Sequence, residues 1–170
     1  MTINEAHRLV KALVGEDDFH DVEDVLSSYY DLAQTEIATT VCPIRKSCTL
    51  KAGKNVLLPD DLYRLIYVSE SYERTDRNHI TTDGGGDVVI KYFAYPKKLY
   101  DDSPETTELE VDKRAQAAIP YYAAAQTVLS DSDMRRYYAF MDMYNSILAN
   151  VNASDRENSR LRIVKTEEIQ

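Results

Sequence analysis

The sequence predicts an α+β protein: a four-helix core with a small β-rich insertion between helices 2 and 3 and an extended C-terminal arm. Three observations lead there. Apolar residues recur with helical period near both ends of the chain. The middle is rich in β-branched and aromatic residues. After Asn152 the chain turns polar and loses its period. The expected boundaries are 1–43 for a first helical hairpin, 44–102 for the insertion, 103–151 for a second hairpin and 152–170 for the arm.

Thr2 and Glu5 have capping-box spacing, in which the hydroxyl and the carboxylate each accept a backbone N–H of the first turn. Ile3, Ala6, Val10, Leu13 and Val14 then repeat with helical period, and Gly15 is placed to end the helix. Asp18 reads as the cap of a second helix with the stripe Phe19, Val22, Val25, Leu26, Tyr29, Ala33 and Ile37. Pro43 ends it, because the residue before a proline avoids the helical region.

In the insertion, "SCTLKAGKNVLL" reads as two short strands about an Ala-Gly-Lys-Asn turn, and "YRLIYVSESY" and "DVVIKYFAY" as two more. Three glycines make "TTDGGGD" a loop, since they fit no element cheaply. "LPDDLYRL" reads as a turn opening one helical turn after Pro59. Helical period returns at Asp112, where Ala115, Ala118, Ile119, Tyr122, Ala125 and Leu129 share a face. Only Pro120 interrupts it, and a kink is expected there. Ser130 and Ser132 are candidate caps of a last helix with the stripe Met134, Tyr137, Met141, Tyr144, Leu148 and Val151. The tail beyond is expected to be disordered alone and to order on a partner.

A formal charge of −9 over 170 residues argues against tight binding to a phosphate backbone, which needs Lys and Arg to release counterions. The acid is concentrated early, at Glu16, Asp17, Asp18, Asp21, Glu23, Asp24 and Asp31. Two cysteines, Cys42 and Cys48, make neither a disulfide framework nor a zinc site. No apolar run reaches the roughly 20 residues of a membrane span.

Catalytic patterns fail in turn. Asp60 and Asp61 are adjacent, so they do not converge as an acid–base pair. His7, His20 and His79 have no metal-ligand spacing. Gly84–Gly86 lack the Lys and Ser/Thr of a phosphate loop, and "EDDFHDVEDV" lacks the glycine and glutamate of a calcium loop. The expectation is a protein that is not an enzyme and has no cofactor, metal or catalytic residues.

What stands out is 13 tyrosines and no tryptophan. Several are paired, as in Tyr29-Tyr30, Tyr121-Tyr122 and Tyr137-Tyr138. Neighbours on a helix lie about 100° apart, so one of each pair can fill the core while the other reaches the flank. Tyrosine suits such half-wet positions and is enriched at interfaces. Tyr30, Tyr121 and Tyr138, with Ala117, Ala123 and Ala124 as a face for close approach, are the expected subunit contacts.

Three segments occur in a telling order. They are "LPDDLYRL" (Leu58, Pro59, Asp60, Arg64), a tyrosine-to-proline strand end over Tyr92 to Leu99 with Pro96 in it, and "IPYYAA" (Pro120, Tyr121, Tyr122). In this order, over residues 1–151, the chain resembles the head–tail connector (adaptor) proteins of tailed double-stranded-DNA bacteriophages. The resemblance implies a structural virion protein that forms a homo-oligomeric ring, usually of twelve copies, on the portal protein. Such a ring extends the DNA channel without sequence-specific binding and receives the stopper or tail. It implies a place in the virion neck after synthesis in the host cytoplasm, with no membrane partner. The grip on the portal would fall to Arg160, Leu161, Arg162, Ile163 and Val164. The alternatives are another neck or tail-completion protein (a stopper or terminator), or a DNA-packaging or regulatory DNA-binding protein. An acidic second helix speaks against the last.

Overall fold

The computed structural model describes residues 1–130 and 132–167, with side chains for 1–129 and 132–154. It divides into two compact units, one of Met1–Cys42 and Lys98–Gln170, the other of Pro43–Lys97. The first is helical: α1 (Ile3–Val14), α2 (Glu16–His20), a 3-10 turn (Glu23–Val25), α3 (Leu26–Thr40), α4 (Lys113–Gln116), α5 (Ile119–Ser130) and α6 (Met134–Glu167). The second is all strand: β1 (Ile44–Lys51), β2 (Val56–Leu57), β3 (Leu62–Val68), β4 (Tyr72–Arg74), β5 (His79–Thr82) and β6 (Asp87–Ala94).

This corrects the four-helix core. The strands are a substantial part of the chain, forming two antiparallel three-stranded sheets in the orders β1-β6-β3 and β2-β5-β4. The expected second helix is broken into α2, the 3-10 turn and α3. Its acidic residues place like charges three and four positions apart, as at Asp17/Asp21 and Asp21/Asp24, and such pairs destabilise a continuous helix. Asp18 does not cap it: Gly15 holds the cap position of α2, and the Asp18 carboxylate instead pairs with Arg136 at 2.9 Å. Nor is the C-terminal segment an extended arm, because α6 runs on to Glu167.

The helix expected from Asp112 is two helices rather than one kinked helix. Asp112 caps α4, the chain turns at Ala117, and α5 begins at Ile119. Pro120 therefore lies in the first turn, where its missing N–H would have had no partner and its fixed φ suits helix initiation. It starts a helix and bends none. The cap of α6 is Asp133, whose carboxylate accepts the Arg136 N–H at 3.1 Å, while Ser132 sits at φ +62°.

α5 is the common partner of α1, α3 and α6. Its Ile119, Ala123, Ala124, Ala125 and Val128 are fully buried, and the small alanine side chains allow the close approach that three neighbours require. Opposite them lie Ile3, Ala6 and Val10 of α1, Leu26, Tyr30, Ala33 and Ile37 of α3, and Tyr144 of α6. The Thr2–Glu5 capping box forms, and Gly15 ends α1 at φ +103°. Arg136 ties the start of α6 to the end of α1, donating to the carbonyls of Leu13 (3.4 Å) and Val14 (2.8 Å) that the helix leaves unpaired.

In the strand unit, the Ala52–Asn55 turn forms with Asn55 at φ +58°, but β1 and β2 on either side of it belong to different sheets. β6 alternates between buried and more exposed residues, with Phe93 half-buried on the outer side, and its Val88, Ile90, Tyr92 and Ala94 face inward. Ile90, Tyr92 and Ala94 join Leu58 and Ile80 in one apolar cluster, covered by Ile44, Cys48, Leu50, Val56, Leu62, Leu65 and Val68. The turn expected after Pro59 forms, with the Leu62 N–H donating to the Pro59 carbonyl at 3.0 Å, but no helix follows it: Leu62 onward is β3, where two bulges against β6 turn the exposure period from two into three.

Candidate functional site

The acidic and nucleophilic candidates resolve into local structure. Asp61 accepts from Lys46 Nζ at 2.8 Å and from the Tyr92 hydroxyl at 3.1 Å. Burial first, then this carboxylate, pushes the Tyr92 phenol up to about 12. The same two causes raise the Cys48 thiol, opposite to what a nucleophilic thiolate needs. His79 Nδ1 meets the Asp76 carboxylate at 2.9 Å within one turn, and Asp76 also accepts the N–H of Asn78 and of His79. Among the described residues no group of His, Cys, Asp or Glu is arranged to hold a metal ion, and no helix is long and apolar enough to cross a membrane.

The expected contact residues divide sharply by burial. Tyr30, Ala123 and Ala124 have no exposed surface and are withdrawn as subunit contacts, since an inaccessible side chain cannot touch a neighbour. Tyr30 faces His7 at 5.5 Å between ring centroids, and its partner in the pair, Tyr29, takes the flank. Ala117 is exposed, Tyr121 is half-buried and Tyr138 is 60% exposed.

Ala117 and Tyr121 meet Pro120 in one place. With Met1, Leu9, Ala12 and Leu13 they line an open apolar cleft of about 250 Å³ between α1 and the start of α5. Leu9 is the signal that sequence reasoning missed. It lies outside the buried stripe of Ile3, Ala6, Val10 and Val14, and is 46% exposed. With Ala12 and Leu13 it makes a second stripe at i, i+3 and i+4, one that the core does not use. Met134, Tyr138 and Met143 add large exposed apolar side chains along α6.

The first motif borders a different cleft, in the strand unit. Pro59 and Asp60 lie at its rim with Leu58 at its buried end, facing Tyr63, Arg74, Arg77, Asn78 and Tyr95 around about 260 Å³. The Arg74 guanidinium is held by the carbonyls of Asp76 (3.1 Å) and Arg77 (2.7 Å), and the Tyr63 and Tyr95 rings pack at 5.2 Å. Arg64 projects from β3 over Phe93 at 5.5 Å, Pro96 is buried, and Tyr122 packs on Tyr144 at 5.4 Å. The backbone of Arg160, Leu161, Arg162, Ile163 and Val164 continues α6, but their side chains lie outside the described residues.

His7 is half-buried between Phe19 (6.0 Å) and Tyr30, with its Nε2 buried and unpaired. Burial holds the imidazole below its ordinary value, against the opposing pull of Glu105 and Glu23. The unfolded chain therefore takes the proton more readily than the folded one. Stability is full above the ordinary value near 6.5 and falls as pH drops through it. The urea midpoint should drop between neutral and mildly acidic pH, and drop less in His7→Phe. Equal slopes would place the acid sensitivity elsewhere.

No protein-family model matches the chain, and no curated protein matches it.

Proposed function

We propose that this protein is a head–tail connector of a tailed bacteriophage, forming a ring on the portal that extends the DNA channel and receives the stopper or tail. The observation that carries the reading is the set of three motifs in chain order: Leu58 to Leu65, Tyr92 to Leu99 and Ile119 to Ala124. Two features of the fold support it. The third motif sets Pro120 and Tyr121 beside Ala117 on an open apolar cleft, and Met134 and Tyr138, one turn apart on α6, are exposed on a shared face. These are two different patches on one helical unit, and a ring needs an interface in which each subunit offers two unlike surfaces.

The proposal assigns the protein no catalysis. Its partners are copies of itself, the portal and a stopper or tail protein, and its place is the virion neck. A net charge of −9 suits a wall past which DNA slides without being held.

Mass photometry of the full chain, alone and mixed with the cognate portal, tests this. The expected result is a small species alone and stoichiometric ring-sized complexes with the portal, lost in a version ending at Val151 if the distal part of α6 is the grip. Failure of either form to join a portal overturns the adaptor reading and moves the test to the stopper.

A further inference from the structure

In a chain this acidic, one surface is basic. On the outer face of the sheet β1-β6-β3, Arg45 and Arg64 stand on either side of Phe93, because both pair with it across the central strand. Their guanidinium carbons lie 5.9 and 5.5 Å from the ring centroid. Two residues along β6, Lys91 Nζ lies 5.5 Å over the Tyr67 ring. These contacts hold three cations in place without neutralising them, and among the described residues none of the three has a carboxylate in ion-pair range. A groove of about 400 Å³ runs between Arg45 and Lys91, with Ile66 and Phe93 as its apolar lining, and Arg64 stands on the far side of Phe93 from Arg45.

The same chain carries the matching surface. Around α2 and the 3-10 turn, Glu16 is paired with Lys11, Asp18 with Arg136 and Glu23 with His20. Asp17, Asp21 and Asp24 are exposed and, among the described residues, have no cation in ion-pair range. Val25, 42% exposed, lies beside them.

We propose that the sheet face of Arg45, Arg64 and Lys91 docks the acidic segment Asp17–Asp24 of a second copy of this chain. The charges match in number and are opposite in sign, and each side presents apolar surface beside them. Because the two surfaces differ, the pairing is heterologous and propagates from copy to copy, as a ring or filament requires. The inference rests on the ring reading for closure, not for the pairing itself. A single-stranded nucleic acid is the other polyanion that an Arg-flanked aromatic attracts. The chain's net charge of −9 disfavours it, whereas a second copy brings carboxylates already fixed on a folded segment.

Sedimentation velocity on the full chain at high protein concentration tests this. Self-association should weaken about tenfold or more from low to high ionic strength, because exposed charges are screened. The triple variant Arg45→Glu/Arg64→Glu/Lys91→Glu and the triple variant Asp17→Lys/Asp21→Lys/Asp24→Lys should each be monomeric alone. Mixed in equal amounts they should associate again, since each then presents the charge the other lacks. A misfolded variant could not restore association, so recovery on mixing also reports that both fold.

Salt-insensitive association, wild-type behaviour of either variant, or no recovery on mixing overturns the proposal. So does a wild type that stays monomeric at every ionic strength. Binding of a labelled oligo(dT) that is lost in the sheet variant, with self-association unchanged, overturns it too and assigns the face to nucleic acid. Charge-swapped association without portal binding would leave the docking standing while the adaptor reading falls. The reverse pattern would remove the docking alone.

Discussion

Tyr144→Ala should lower the stability of the helical unit by about 3–5 kcal/mol, the cost of deleting a large buried aromatic and leaving a cavity. Tyr144 is 1% exposed and is the first fully enclosed side chain of α6. It packs on Tyr122 of α5 at 5.4 Å, and α5 in turn holds α1 and α3. Before it, Met134 and Tyr138 are exposed and Tyr137 and Met141 only half-buried; after it come Leu148 and Val151. The ring is therefore the pin between a loosely held start and a long helix. Against a total stability of about 5–15 kcal/mol for a domain, such a loss is large. Urea unfolding followed by circular dichroism measures it. A cost below about 1 kcal/mol would show that α6 is held by contacts other than this aromatic pair.

Gln116→Leu is the second large effect, expected at about 2–4 kcal/mol although the substitution keeps the volume and adds apolar surface. The Gln116 amide, 6% exposed, donates to the carbonyls of Leu109 (2.8 Å) and Val111 (2.9 Å), and its oxygen accepts from the Met1 amine. The same region pairs Thr2 with Glu108, and there Ile3 N–H donates to Thr107 and Leu109 N–H to Met1. One side chain thus closes the N-terminus, the 98–112 connection and α4 onto each other. Leucine would leave two carbonyls unpaired against an apolar wall, and an unmade buried hydrogen bond costs more than a made one gains. The urea midpoint of Gln116→Leu, compared with that of Glu110→Leu on the exposed side of the same segment, separates this effect from added hydrophobicity. Similar shifts in both would sink it.

Features carried by a few consecutive residues were legible without the fold. The Thr2–Glu5 box and the Gly15 stop depend only on groups within one turn, so spacing specifies them. β6 was legible as a strand from its β-branched and aromatic residues, but Val89 and Phe93 on its outer side are as apolar as Val88 and Ile90, so which face turns inward was decided by the fold. Exposure along α1 was half legible: the core stripe shows in the period, and Leu9, Ala12 and Leu13 are a visible second stripe whose meaning depends on what α5 leaves uncovered.

What only the tertiary structure decided involves partners distant in sequence. Asp18 looked like a helix cap, but Arg136, 118 residues away, takes its carboxylate, and the acidic run after it breaks instead of continuing as helix. Tyr30 rather than Tyr29 fills the core, because the break before Leu26 resets the helical phase and His7 waits on the Tyr30 side. Pro120 could mark a kink or a start, and the turn at Ala117 made it a start. The strands gave no hint that β1 and β2, joined by one short turn, would enter different sheets. Strand pairing is a contest among distant edges, and local pattern measures only how each strand presents its own. The basic face is the extreme case. Arg45, Arg64, Lys91 and Phe93 lie on three strands, and register alone brings them together.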